Sequence, residues 1–177
     1  MAISYSYNSL IRSKEKEYER YIYEHINNVI KAVDELESIG IDSETCNDLR
    51  KAFKLHDKSK FSEEEFYAYR RYFHPIDKDE KAHAKDAFES AWVHHYKNNP
   101  HHPEYWIDSD GTIHDMPLRY IYEMICDWIA MGYKFNDKPY KYYGMRKNKP
   151  ITPETRRIVE DLLIKLARKD GNTNFHF

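Results

Sequence analysis

Five glycines in 177 residues leave this chain few places to turn sharply, and between them apolar residues return at helical spacing. Tyr18, Ile22, Ile26, Val29, Val33 and Leu36 form such a stripe on a long first helix that Gly40 can end. His25 lies beside Ile22 and Val29 and so faces the same interior. A second helix is expected from about Ser43, with Leu49, Ala52, Phe53 and His56 following one another on its inward face. Ser62 and Glu65 read as a capping box that opens a third helix through Phe66, Tyr69 and Phe73, stopped by Pro75. A fourth spans roughly 77–98, with Ala84, Phe88, Ala91 and His95 on one face. Residues 98–117, dense in proline, aspartate and aromatics, form an ordered loop, and loops of that length are often functional. Pro117 begins a fifth helix over 118–131 that Gly132 ends. Residues 133–149 show no clear period and are read as irregular. Thr152-Pro153 caps a sixth helix through Ile158, Leu162 and Leu166, and 171–177 is expected to fray. No alternation of period two competes. The expectation is an all-α chain, a single compact domain of about six helices with its core over about 13–170.

The charge balance narrows the partners. A formal net charge of −2 is far from the basic balance of a general nucleic-acid binder, and the basic residues are dispersed rather than striped. Cys46 and Cys126 lie far apart without CxxC spacing, as in a reducing compartment. The first ten residues lack an apolar signal core and no stretch approaches a membrane span. These features predict a soluble, cytoplasmic protein without membrane partners; a homodimer is compatible with them.

Chemistry concentrates on histidine and aspartate. His56-Asp57 closes the second helix, and an adjacent imidazole and carboxylate suit a divalent cation better than either type alone. The ordinary alternative is a histidine placed at the negative end of a helix, with aspartate in the turn. His25 alone reads as a core histidine and gains weight only from company. Asp127 is the one acid in Met124-Ile125-Cys126-Asp127-Trp128-Ile129-Ala130-Met131, and an unpaired carboxylate there would be costly. Glu123, one turn earlier, is a candidate acceptor that would hold a metal-bound group in place, or a general base. His94, His95, His101 and His102 fall within nine residues. His95 continues a buried face and is preferred to His94, while the prolines beside His101 and His102 stiffen their turn. A histidine-rich surface loop is the competing reading. Lys58 and Lys60 follow the doublet, where they could neutralise an anionic substrate. Tyr105 and Trp106 could wall a substrate pocket, although such aromatics more often pin a loop to the core. His74, His83, His114 and His176 have no comparable setting.

His25, His56-Asp57 and Asp127 occur in the order and approximate spacing of the HD superfamily of metal-dependent phosphohydrolases, and the chain resembles that superfamily. His56-Asp57-Lys58-Ser59-Lys60 is similar to its His-Asp-x-Gly-Lys variant, with Ser59 where glycine is common. More narrowly, His56-Asp57-Lys58-Ser59-Lys60-Phe61, the run over 95–106, and Met116-Pro117 leading to Glu123-Met124 and Asp127-Trp128 look like a little-characterised family of unknown function from bacteria and their phages. The broad resemblance implies His25, His56, Asp57 and Asp127 as primary metal ligands, with His95 and either His101 or His102 adding a second site. It also implies Lys60 beside a bound phosphate. The Gly-Tyr-Pro element of the cyclic-dinucleotide phosphodiesterases is absent. Glu104-Tyr105-Trp106 stands in roughly its place, which argues against a cyclic-dinucleotide substrate. The function so implied is hydrolysis of a nucleotide or other small phosphorylated metabolite, with Asp57, Lys60 and Glu123 as catalytic candidates and Lys60, Tyr105 and Trp106 touching substrate. One or two divalent ions are implied, of manganese, iron, zinc, nickel, cobalt or magnesium. Two other readings use the same residues: a di-iron oxygenase, and a non-catalytic protein that sequesters a nucleotide.

Overall fold

The computed structural model describes residues 2–145 and 149–177, and its regular elements are helices. The one β pairing among the described residues is an isolated bridge between Ile107 and Ile113. The chain is therefore all-α, as its glycine-poor, helix-period sequence requires. Eight α-helices occur among the described residues: α1 (Ala2–Ser38), α2 (Ser43–Ala52), α3 (Glu63–Phe73), α4 (Lys78–His83), α5 (Lys85–Asn98), α6 (Leu118–Phe135), α7 (Pro139–Gly144) and α8 (Pro153–Lys169). Short 3-10 turns cover Phe53–Leu55, Lys58–Phe61 and Pro103–Trp106. Contacts divide the chain into two compact units. The first takes the described residues up to Glu24 together with Asp57–Asn99, and the second takes His25–His56 with Pro100–Phe177.

In the first unit, α3 packs on α4 and α5. Buried Arg70 forks onto both oxygens of Glu80 at 2.8 and 2.7 Å, and Glu80 also accepts the Ile76 amide at 2.7 Å. The pair thus ties α3 to the segment entering α4. The helix expected over 77–98 is interrupted at Ala84, whose amide bonds the Lys81 carbonyl three residues back instead of continuing the four-residue ladder. Ala84, Ala91 and His95 are nonetheless buried, so the apolar spacing runs through the break and conceals it. The capping box is also corrected. Ser62 stands at the N-cap of α3 but its side chain caps no helix amide, and Glu65 is fully buried with its carboxylate turned to His94 and His95.

The second unit holds the main apolar core. Val29, Val33 and Leu36 of α1, Leu49 of α2, the inward face of α6 and Leu162, Leu163 and Leu166 of α8 meet there. Free Cys46 and Cys126 are buried in it. Gly40, at φ +100°, ends α1 as expected. Gly132 does not end α6, which runs on to Phe135 and closes with Asn136 at φ 53°. A Cβ on Gly132 would sit 2.5 Å from the Asp137 carbonyl oxygen, so the glycine serves the close return of the next loop rather than a stop. Within 133–149, α7 buries Tyr140 and Tyr143 where no element was expected; 146–148 lie outside the described residues. Thr152 caps α8 by accepting the Thr155 amide at 3.1 Å. Residues 171–177, expected to fray, return to the core: Phe175 meets Tyr140, and Phe177 meets Tyr143, each with ring centroids 5.1 Å apart. No helix among the described residues is long and apolar enough to cross a membrane.

Candidate functional site

The second unit gathers five of the residues singled out in the sequence. His25 comes from the middle of α1, His56 from the turn after α2, His101 from the loop after α5, and Glu123 and Asp127 from successive turns of α6. Residues four apart on a helix share a face, so α6 presents both carboxylates together. His25 Nε2 stands 3.0 Å from Asp127 Oδ1 and 3.3 Å from His56 Nε2, and His56 Nε2 is 3.9 Å from the same Asp127 oxygen. A triangle with those edges has a circumscribed circle of radius about 2.0 Å, the distance at which imidazole nitrogen and carboxylate oxygen hold a first-row divalent ion. Two imidazole nitrogens facing each other can share at most one hydrogen, and a cation would satisfy both lone pairs. These groups are close enough to hold a metal ion.

Glu123 orients this cluster. Its Oε1 is 3.0 Å from His56 Nδ1 and 3.6 Å from His101 Nδ1. A carboxylate that accepts the Nδ1 hydrogen fixes the tautomer and leaves the His56 Nε2 lone pair toward His25 and Asp127. His56, His101 and Glu123 also offer ligand atoms within 4.8 Å of one another. The His101 ring lies 4.4 Å from that of His56 and 4.2 Å from that of His102. Burial pushes the Asp127 carboxyl upward, but the hydrogen bond from His25 and the electrostatic pull of the His25, His56 and His101 rings outweigh it and hold it well below the usual carboxylate range.

The first unit holds its own cluster around Asp57. Asp57 takes the left-handed conformation at φ 55°, a region that non-glycine residues rarely enter, though aspartate tolerates it better than most. Asp57 Oδ2 accepts from Lys60 Nζ at 2.6 Å, and Oδ1 lies 3.3 Å from His95 Nε2. Glu65 bridges two imidazoles, at 2.8 Å from Nδ1 of both His94 and His95. Burial raises the Glu65 carboxyl; its bonds to His95, Ser59 and His94 outweigh that and bring it below the ordinary range. Glu65 therefore plays toward His95 the part that Glu123 plays toward His56. Sequence reasoning missed it, because Ser-x-x-Glu spacing is the signature of a cap and its true partners lie 29 and 30 residues away.

The remaining candidates are placed differently. Trp106 donates its indole N–H to the Pro100 carbonyl at 2.7 Å and packs on Tyr120, so it pins its own loop. Tyr105 is exposed against the Trp106 ring. His74, His83, His114 and His176 bond to Glu17, the Asp79 carbonyl, Asp108 and the Asn174 carbonyl respectively, as background residues should.

Residues 14–165 match the profile of a family of unknown function, DUF5662. No curated protein and no solved structure matches the chain.

Proposed function

The chain belongs to that family of unknown function, and we propose that it is a metal-dependent phosphohydrolase acting on a nucleotide or other small phosphorylated metabolite. The observation that carries the reading is the triangle of His25 Nε2, His56 Nε2 and Asp127 Oδ1, whose edges of 3.3, 3.0 and 3.9 Å match ligands around one ion. Asp57, next to His56 in the chain, joins this set through the resemblance to the HD superfamily, and His95, His101 and His102 are the residues from which a second site would draw. A bound divalent ion supplies a water acidic enough to be hydroxide near neutrality and a positive charge for a phosphoryl oxygen. The protein's own groups do the rest. Glu123 holds His56 in the tautomer with a free Nε2, and Glu65 does the same for His95 by accepting from its Nδ1. Lys60, which donates to Asp57 Oδ2 at 2.6 Å, is the residue that the resemblance assigns to a substrate phosphate, whose charge it would neutralise.

Elemental analysis of the purified protein, followed by a screen of phosphate esters with manganese, cobalt, nickel or magnesium, tests the reading. Stoichiometric metal and ester hydrolysis are expected, and Asp127→Ala should lose both while keeping its helical circular dichroism. Hydrolysis untouched by that substitution would sink the mechanism. Stoichiometric iron with oxygen consumption and no ester cleavage would replace it by the di-iron oxygenase.

A further inference from the structure

In the first unit, the run His94-His95-Tyr96-Lys97-Asn98-Asn99 closes α5, and each of its histidines is followed four residues later by an asparagine. Residues four apart on a helix meet, and the last carbonyls of a helix lack amide partners. Both asparagines supply one. Asn98 Nδ2 donates to the His94 carbonyl at 2.8 Å, and Asn99 Nδ2 donates to the His95 carbonyl at 2.7 Å. A carbonyl oxygen only accepts, so these two bonds fix which end of each amide is the NH2. The directions of the other hydrogens around Glu65 follow from that.

The second hydrogen of Asn98 faces His94 Nε2 at 3.3 Å, which makes that nitrogen the acceptor. The second hydrogen of Asn99 goes instead to Ser59 Oγ at 2.6 Å. Ser59 therefore turns its own hydrogen away from the amide, and it bonds the Glu65 carboxylate. A carboxylate only accepts, so the His94 and His95 Nδ1 atoms, each 2.8 Å from one of its oxygens, both carry hydrogen. His95 Nδ1 also stands 3.3 Å from Ser59 Oγ and 3.2 Å from Asn99 Nδ2. Neither competes for it, because both hydrogens of that amide and the hydrogen of that hydroxyl already point to oxygens. The two rings thus share one tautomer and differ at Nε2. That of His94 meets an amide, and that of His95 turns to Asp57 Oδ1 at 3.3 Å.

Ser59 stands where the motif that this chain resembles commonly has glycine. The backbone at Ser59 does not enter the left-handed region, as that of Asp57 does, so no turn there demands glycine. What serine adds is the hydroxyl between Asn99 and Glu65. We infer that Ser59 and Asn99 are positioning residues for His95: with Glu65 they keep the ring hydrogen on Nδ1, so that Nε2 is the atom offered to a metal ion. The same bonds distinguish the two neighbours, since the amide of Asn98 occupies Nε2 of His94. Use of His95 Nε2 by an ion rests on the phosphohydrolase reading and deepens it, whereas the tautomer is readable without metal or turnover.

The test reads the ring by NMR in the full-length protein, isotopically labelled at its histidine nitrogens, treated with chelator and followed upward from neutral pH until the ring is uncharged. Wild-type His95 is expected to carry its hydrogen on Nδ1, the tautomer that free histidine disfavours in water. In Ser59→Ala the second Asn99 hydrogen loses its oxygen and competes for a lone pair on Nδ1. The ratio of the Nδ1–H to the Nε2–H tautomer should fall by about 10-fold or more, the scale of one hydrogen bond to a charged group. Asn99→Ala, which lets the Ser59 hydroxyl turn its hydrogen toward Nδ1, should move the ratio the same way. Ser59→Thr keeps the hydroxyl and should restore it. His94, held by the other Glu65 oxygen and by Asn98, should stay unchanged in Ser59→Ala, which tells the specific effect from general loosening. A wild-type His95 with its hydrogen on Nε2 would overturn the inference, and so would a wild-type ratio in Ser59→Ala. The two readings fail separately. A tautomer that depends on Ser59 in a protein that binds no zinc leaves the positioning residues standing and removes the metal site. Zinc binding and ester hydrolysis with an unchanged tautomer ratio in Ser59→Ala does the reverse.

Discussion

Glu123→Gln is the substitution on which the account of the metal site turns. Glu123 is 8% exposed and its Oε1 receives His56 Nδ1 at 3.0 Å, so the side chain is held in place and the change is close to isosteric. Glutamine can present either its oxygen or its NH2 to His56. With the oxygen, a neutral acceptor replaces a charged one and the bond loses about half its strength. With the NH2, His56 must carry its hydrogen on Nε2, and the lone pair facing His25 and Asp127 is gone. Carboxylate partners of metal-bound histidines are typically worth about 10–100-fold in affinity, and the second alternative lies at the upper end. A loss of about 100-fold corresponds to about 2.7 kcal/mol. The consequence can be read without turnover. Metal at 100 times the wild-type Kd should stabilise the wild type by about 2.7 kcal/mol, and the same concentration should stabilise a variant weakened 100-fold by only about 0.4 kcal/mol. Chelator-competition titration with zinc or manganese gives the affinities, and denaturant unfolding with and without metal gives the stabilities. A variant with wild-type affinity and an unaltered circular dichroism spectrum would refute the orienting role of Glu123.

Gly132→Ala should destabilise the protein by about 1–3 kcal/mol in thermal unfolding, because the new Cβ meets backbone at 2.5 Å. A gain of about 1 kcal/mol, as helix propensity alone dictates, would refute the close approach. Glu80→Gln leaves the buried Arg70 guanidinium without its carboxylate and should cost on the order of 3 kcal/mol at pH 7 in urea unfolding. Burial raises the Glu80 carboxyl, but Arg70 and the Ile76 amide bring it below the ordinary glutamate value of 4.5. Its contribution is therefore complete above pH 4.5 and is lost as pH falls through the folded value, so wild type and variant should converge in acid. A gap that persists in acid would refute the ionic account. Deletion of 171–177 strips Phe175 and Phe177 from Tyr140 and Tyr143 and should lower the melting temperature by several degrees; an unchanged value would show that the tail contributes nothing.

Much of the framework was legible because its causes are local. The stripe from Tyr18 to Leu36, the positive-φ Gly40 and the Thr152 cap act within a turn or two, and each appears where periodicity and capping chemistry put it. The failures are equally specific. Ser62 and Glu65 have the spacing of a cap, yet a buried carboxylate gains more from two imidazoles than from one amide at a solvated helix end. Gly132 has the look of a stop, but the helix continues because the backbone of Asp137 comes to rest where a side chain would be. Residues 171–177 carry no period, and only the rings of Tyr140 and Tyr143, set in place by α7, give Phe175 and Phe177 somewhere to go.

Residue order alone settled that this chain is helical and which faces of its helices turn inward, since both follow from side-chain spacing over a few turns. It also marked His25, His56 and Asp127 as inward-facing polar residues that would need partners. Which nitrogen meets which oxygen was decided only by the packing of helices distant in sequence. Glu123 sits 67 residues from the imidazole it orients, and Glu65 about 30 from the two it holds. Periodicity gives the direction of a side chain about its own axis but not the angle or depth at which another helix arrives, and the tautomers and ligand distances of the site depend on those.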